Sequence, residues 1–484
     1  MSPAHHSPER RWPVLALVVL VVAGVGIAGT RGSSGPLGAS TAPSALVGAP
    51  DAESSAWYCT GQSTASGVSS GFLVLTNTSG APVKGTITSV SDGGASERTA
   101  VAVPAHGVVA PSIPALSPGS WESQTVILSG GGVAVTQAVH GSSGWSQAPC
   151  QSTTSSTWYF PGGTTVNSDA LYVSLLNPTS TPVVVDLGFM TPRGAVHPIN
   201  YQGIVLQAGQ VQVENVASEV QDVAAVSTVV STRTGRVVAS EVQVFSGSSA
   251  GLSLVPGAAS PEATWAIPQA QEAAGGSSVI DLFNPGRVPE AVTVRLRLSS
   301  GPLAPLTDTV APGTTWALVT STQTRIPRGE TYSAAVDATG GPGVVVSRTV
   351  VLPASSPAPQ AGMAMAVDGL TTMSPTGTWV VPPPGTSANP AVSGASPADL
   401  GLLNMSSGAE RYTAFVVTSS GDHPLATGTL AAGSMAASVL SDVGVDPVVV
   451  RASGATAVSE SANPSGGIGV VTMAGVPLAA AIDR

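Results

Sequence analysis

Lysine is nearly missing from this chain. Of 17 basic residues only Lys84 is a lysine, and the others are arginines scattered one or two at a time. No basic patch forms, so a phosphate backbone has nothing to hold it, and nucleic acid is excluded as a partner. Charged residues of both signs make up only 9%, with a net charge of −10. A disordered chain combines high charge with low hydropathy. Here the mean hydropathy is +0.31, which points to a folded chain. Two cysteines, Cys59 and Cys150, are too few for a zinc cluster. His5 and His6 are adjacent near the N-terminus, whereas His106, His140, His197 and His423 stand alone, and none has metal-motif spacing. Aromatic residues reach only 4%, leaving few rings to stack on a sugar. No long amphipathic helical pattern occurs either. The nearest candidate, SEVQDVAAVSTVVST from Ser218, is rich in β-branched residues that favour strands.

One long apolar run exists. Arg10 and Arg11 precede nineteen uncharged residues, 12–30, which end at Arg31. As a helix they would span about 28 Å, close to a bilayer's hydrocarbon core. The arginines should stay inside, which sends the rest of the chain outside. The alternative is a secreted protein whose signal is cleaved near Gly26-Ile27-Ala28. Residues 1–11 then read as a cytoplasmic tail, 12–30 as a transmembrane signal-anchor and 31–55, rich in Gly, Ser and Pro, as a flexible linker. The excess of arginine, with abundant Ala, Gly, Pro and Val, is the bias of a GC-rich bacterial genome.

Four tryptophans, Trp57, Trp158, Trp265 and Trp379, stand before short apolar runs about a hundred residues apart. Each is followed by an apolar stretch closed by asparagine: FLVLTN, LYVSLLN, SVIDLFN and LGLLN, ending at Asn77, Asn177, Asn284 and Asn404. Sixteen or seventeen residues on come Gly93, Gly194, Gly301 and Gly421, and then Gly107, Gly209, Gly313 and Gly433. VAVTQAV, VVASEVQV, VVVSRTVV and TAVSESA close the units. Shared order and spacing at five landmarks mark tandem repeats.

Within a unit the runs of four to eight β-formers, broken by Gly, Pro and Asn, give about seven strands. The expected fold is all-β: an N-terminal transmembrane helix followed by four tandem immunoglobulin- or fibronectin-III-like β-sandwich repeats, over 56–151, 152–260, 261–374 and 375–484. A β-propeller is second, because it would need two similar four-strand halves per unit. The tryptophans read as structural anchors, pinning each opening strand to its sandwich or wedging units together. Exposed sugar-stacking is the lesser reading.

No constellation supports catalysis. GSSAG at 247–251 matches G-x-S-x-G around Ser249, but LSLVPG follows it where a nucleophile elbow needs a helix. Asp92 and Glu97 flank a turn without the acidic ladder of a calcium loop. Asn77-Thr78-Ser79 and Asn404-Met405-Ser406 fit the glycosylation sequon, and strand-end turns explain them better. No cofactor, metal or catalytic residue is expected. Cys59 and Cys150 lie near the two ends of the first unit, and the oxidising side of a membrane permits a disulfide between them.

The WYC and WYFPGG openings, the LLNPTSTPVVVDL segment, the VVASEVQV close and the N-terminal anchor together resemble the DUF5719 family of actinobacterial secreted or membrane-anchored proteins of unknown function. The resemblance covers most of 56–484, with the fourth unit departing furthest. It implies an extracytoplasmic location and no known catalytic residue. The expectation is a non-catalytic, membrane-anchored scaffold that holds a protein partner of the cell envelope. A module that binds cell-wall polysaccharide is the alternative, and an envelope hydrolase the least supported.

Overall fold

Val, Ile and Thr runs favour extended backbone, and Gly, Pro and Asn end them. The computed structural model describes residues 45–479, apart from 66–67, 69, 112, 114, 248–249, 272–275, 352–360, 366, 369–376, 384–397, 441–445 and 463–470. Every described element longer than three residues is a strand. Among the described residues no helix is long and apolar enough to cross a membrane. The expected anchor, 12–30, lies outside them.

The first unit sets the plan. Its strands are β1 (Ser55–Ser63), β2 (Ser70–Asn77), β3 (Val83–Ser91), β4 (Ser96–Val103), β5 (Gly107–Val109), β6 (Trp121–Leu128), β7 (Val133–Gly141) and β8 (Gly144–Pro149). They form two sheets, ordered β1-β6-β3-β4 and β5-β2-β7-β8. The same two orders recur three more times along the chain, with the β4-type strand split in two in the second and third units and a two-residue edge strand added beside the β1-type strand in the third and fourth. The strands equivalent to β1 are Thr157–Gly163, Thr264–Gln271 and Thr378–Val381, and those equivalent to β8 are Gly251–Pro256, Ala361–Met365 and Val471–Ala474. The unit therefore has eight strands where the pattern suggested seven. The β7–β8 turn is only two residues long, which hides the break between them. The order is not the ABED/CFG order of immunoglobulin domains, because the first and second strands lie in opposite sheets.

Each repeat tryptophan is at most 1% exposed and belongs to its own unit's core. The indole N–H of Trp158 donates to the Val237 carbonyl at 2.9 Å, and that of Trp265 to Val344 at 2.7 Å. Cys59, two residues after Trp57, is bonded to Cys150, with Cα atoms 4.8 Å apart. Phe160 takes the corresponding place after Trp158 and is fully buried.

The repeat asparagines do more than end a strand. All four are fully buried. Each Nδ2 donates to the carbonyl four residues on: Ala81 at 2.8 Å, Thr181 at 2.8 Å, Val288 at 2.9 Å and Gly408 at 2.7 Å. Each also donates across to the chain that leaves the β4 region, at Pro104, Gln207, Val310 and Leu430. Each Oδ1 accepts the N–H two residues on. One amide thus locks two turns together. The two sequon asparagines are engaged in these bonds, so their amides have no room for a glycan in the folded chain.

Two landmarks of the first unit move by one residue. The left-handed turn position held by Gly194, Gly301 and Gly421 is held by Gly94, not Gly93. The position of Gly209, Gly313 and Gly433 is held by His106, with φ 49°, not by Gly107.

The units close into a ring. The residue after each tryptophan packs into the next unit's core rather than its own. Tyr58 meets Leu176 and Val238, Tyr159 packs with the third unit's cluster, and Ala266 joins Leu400 and Leu402. Val380 of the fourth unit joins the cluster of Leu73 and Val135 in the first. The four strands of the β8 type neighbour one another in cyclic order. Two of them, Gly251–Pro256 and Ala361–Met365, pair directly in parallel. Residues 45–49, expected to be part of a loose linker, complete the circuit. Val47 is fully buried, and it bridges Leu478 in parallel. Propeller-like closure is thus reached without similar half-units.

Candidate functional site

Successive units meet where a β1-type strand lies against the next unit's β2- and β7-type strands. The side chains that meet there complement each other in size. Counting back from the repeat asparagines, Val74, Ser174, Asp281 and Gly401 are equivalent. At the first junction Ser174 accepts a hydrogen bond from the Thr60 hydroxyl. At the third, Gln269 fills the space over Gly401, where a Cβ would come within 2.5 Å of Gln269. At the second the sizes are reversed. Gly162 lies over Asp281, and a Cβ on Gly162 would stand 2.5 Å from Asp281 Oδ2.

This second junction opens into a cleft of about 700 Å³. Its second-unit wall includes the 164–169 loop and the end of the Val238–Phe245 strand. Its third-unit wall is the sheet face carrying Val279, Asp281, Ala317 and Thr349. The loop is braced: Thr165 N–H donates to Val223 O at 2.9 Å, and Val223 N–H donates to Thr165 Oγ1 at 3.1 Å. Asn167 and Ser168 both sit in left-handed backbone conformations, φ 51° and 68°. For non-glycine residues this is strained, and such strain gathers at functional loops. It presents Asp169, whose Oδ1 accepts the Ser246 N–H at 2.7 Å.

Both carboxyls of the cleft are held towards the neutral form. Desolvation pushes Asp281 up to about 7. It also raises Asp169, against the Ser246 N–H and the Thr164 hydroxyl, which lower it. Asp281 is 4% exposed and has no hydrogen-bond partner among the described residues. Among the described residues that line the cleft there is no lysine, arginine or histidine. It is an acceptor-rich pocket with apolar walls, suited to binding a donor-bearing molecule.

The sequence-derived candidates fall elsewhere. The four tryptophans are buried in cores and cannot stack on a sugar. Ser249 lies outside the described residues, and a strand, Gly251–Pro256, follows it rather than a helix. Asp92 and Glu97 are exposed at the β3–β4 turn. Among the described residues no three His, Cys, Asp or Glu side chains group to hold a metal. Reading the sequence missed Asp281, because in SVIDLFN an acid inside an apolar run is also what an exposed edge strand shows. The signal available was the contrast with Val, Ser and Gly at the equivalent positions.

Residues 131–340 match the model of DUF5719, a family of unknown function. The match runs from β7 to the end of the third unit's Thr331–Thr339 strand, a narrower span than the motifs suggested. No curated protein matches the chain. Among solved structures, the crystal structure of Thermotoga maritima 1070 is 13% identical and covers 22% of this chain and 96% of its own, with a TM-score of 0.21. The crystal structure of a tetra-tandem repeat in the extending region of a large adhesion protein is 10% identical. It covers 83% of this chain and 93% of its own, with a TM-score of 0.08.

Proposed function

We propose that the chain is a non-catalytic, membrane-tethered platform on the outer side of a bacterial cell membrane, where it holds a protein partner of the envelope. The observation that carries this reading is the closed ring. The repeat tryptophans, the asparagine locks and the junction residues all serve rigidity, and four similar units offer a broad, weakly charged outer surface. The Cys59–Cys150 bond supports an oxidising compartment. The apolar segment 12–30 supplies the tether, or a cleaved signal in a secreted form. On the finer fold, we read the units as duplicated β-sandwiches that share with immunoglobulin and fibronectin-III domains a two-sheet layout, not a strand order. Wall polysaccharide as a ligand loses its main support with the burial of the four tryptophans.

The test is genetic. In a deletion strain, the Ser249→Ala chain should restore the wild-type phenotype, and a ring released from its anchor should not. If S249A behaves like the deletion, the platform reading is wrong and a hydrolase takes its place. Protease added to intact cells should remove a C-terminal tag, and a protected tag would reject the topology.

A further inference from the structure

Three of the four equivalent junction positions are accounted for by packing. Ser174 is hydrogen-bonded to Thr60, Gly401 makes room for Gln269, and Val74 is an apolar core residue. Asp281 is not accounted for. It faces Gly162, lines the cleft between the second and third units, and is 4% exposed. A buried carboxylate without a partner is destabilising once it ionises, because its desolvation is not offset. Ser347, its close neighbour, does not relieve it, because that hydroxyl donates to the Pro161 carbonyl at 2.8 Å. Alone the group stays largely protonated, and its ionised form gains a partner only from something that enters the cleft.

The chemistry of the walls selects the class of ligand. Asp169 lines the cleft from the braced, strained loop on the other side. Two carboxyls, with no basic group among the described lining residues, favour a cation. A calcium ion needs six to eight oxygen ligands. Among the described residues no third acid joins these two. Val279, Val319 and Phe245 give the cleft apolar surface that a bare ion cannot use. Its volume, about 700 Å³, is that of a small-molecule site. We propose that the cleft binds a small organic cation, with an ammonium or amidinium head on the Asp281 and Asp169 carboxylates and an apolar body against Val279, Val319 and Phe245. This site does not depend on the platform reading.

The pH window follows from the same groups. Among the described residues, Asp169 and Asp281 are the titratable side chains that line the cleft. Arg348, one residue before Thr349, stacks over Tyr332 and donates to Ser278. Glu241, on the second unit's packed strand, is fully buried in that unit and does not line the cleft. With Asp281 raised to about 7, binding should be strongest above that pH and below the amine's own pKa.

The experiment is calorimetric titration of the full-length protein in a non-ionic detergent with benzylamine, benzamidine and the neutral benzyl alcohol. Benzylamine should bind at pH 8, at least tenfold more weakly at pH 5.5, and benzyl alcohol should not bind. Asp281→Asn should weaken benzylamine at least tenfold at pH 8. Ala317→Leu should block the cleft from Asp281's cross-strand neighbour and leave the carboxylate intact. Far-UV circular dichroism confirms that each variant is folded, and either folded variant suffices. The proposal is overturned if benzylamine and benzamidine both fail to bind at millimolar concentration, or if the folded variants bind as wild type does. Equal binding of benzyl alcohol overturns it too, as does displacement of the amine by calcium.

Discussion

Val47 and Leu478 form a parallel β-bridge, and this bridge is the seam of the ring. Val47 N–H donates to the Pro477 carbonyl at 2.9 Å, and Ala479 N–H donates to the Val47 carbonyl at 2.9 Å. At the other three junctions the chain itself runs on from one unit to the next. At this one, first and fourth units are joined only by non-covalent contacts, among them Val380 in the first unit's core.

Removing residues 1–50 should therefore loosen the whole ring. One buried valine contributes about 1.5–3 kcal/mol. Two backbone hydrogen bonds add about 0.5–1.5 kcal/mol each. The expected loss is roughly 2.5–6 kcal/mol by urea denaturation. Amide exchange should accelerate first at Val476–Leu478. An unchanged denaturation midpoint would show that the seam carries no weight.

Reducing the Cys59–Cys150 bond should destabilise the first unit and leave the second and third less affected. The bond spans 91 residues. On the chain-entropy model such a loop is worth ~4–5 kcal/mol. Denaturation monitored with and without reductant measures it. Free thiols at both positions in protein recovered from the cell exterior would contradict the bond.

Trp158→Ala should cost about 3–5 kcal/mol, the range for large aromatic truncations in a core. The ring is fully buried and its indole N–H is bonded to Val237. Acrylamide should quench the repeat tryptophans poorly in the folded protein. Strong quenching would place them at the surface and revive the sugar-stacking reading.

Asn177→Asp tests the asparagine lock, since it keeps the shape and removes the donor. The Nδ2 group reaches Thr181 and Gln207 carbonyls, and a carboxylate oxygen would face them instead. Thr181 and Gln207 are exposed residues whose carbonyls water can reach, while the Leu206 carbonyl, also bonded by Nδ2, is buried, so a loss of roughly 1–3 kcal/mol is expected. A denaturation midpoint equal to wild type would reduce the lock to a turn of no consequence.

These locks mark the boundary of what the sequence makes legible. The Trp-to-Asn spacing shows in the letters because it repeats, and strand character shows in the β-branched runs. The turn glycines are legible except where His106 adopts their backbone conformation, which the residue type hides. The junctions are not legible. Tyr58 and Tyr159 give way to the smaller Ala266 and Val380 because the later junctions present different neighbours, and Gly162 with Asp281 inverts Gln269 with Gly401. A repeat reveals what its copies share. Ring closure depends on the positions where they differ, and so does the cleft at Asp281.

Two buried acids give the ring a stability that falls as pH rises. Neither carboxyl oxygen of Glu241 has a hydrogen bond among the described residues. Burial pushes its pKa up to about 8, the Thr228 hydroxyl acting the other way, against 4.5 for an ordinary glutamate. Below pH 4.5 both folded and unfolded chains keep the proton, and nothing depends on pH. Between 4.5 and about 8 the unfolded chain gives up the proton while the folded one retains it, so stability drops with each unit of pH. Above about 8 both are ionised and the slope ends. Asp281, raised to about 7, adds a slope of the same sign over a narrower window. Glu241→Gln, which stays neutral, should match wild type near pH 4.5 and exceed it at pH 8 by roughly 3–5 kcal/mol, at about 1.4 kcal/mol per pH unit. Urea denaturation of wild type, E241Q and D281N at both pH values separates the two contributions. A wild-type to E241Q difference that does not change between pH 4.5 and pH 8 would mean that Glu241 is ionised in the fold with a partner of its own, and the burial argument for it would be wrong.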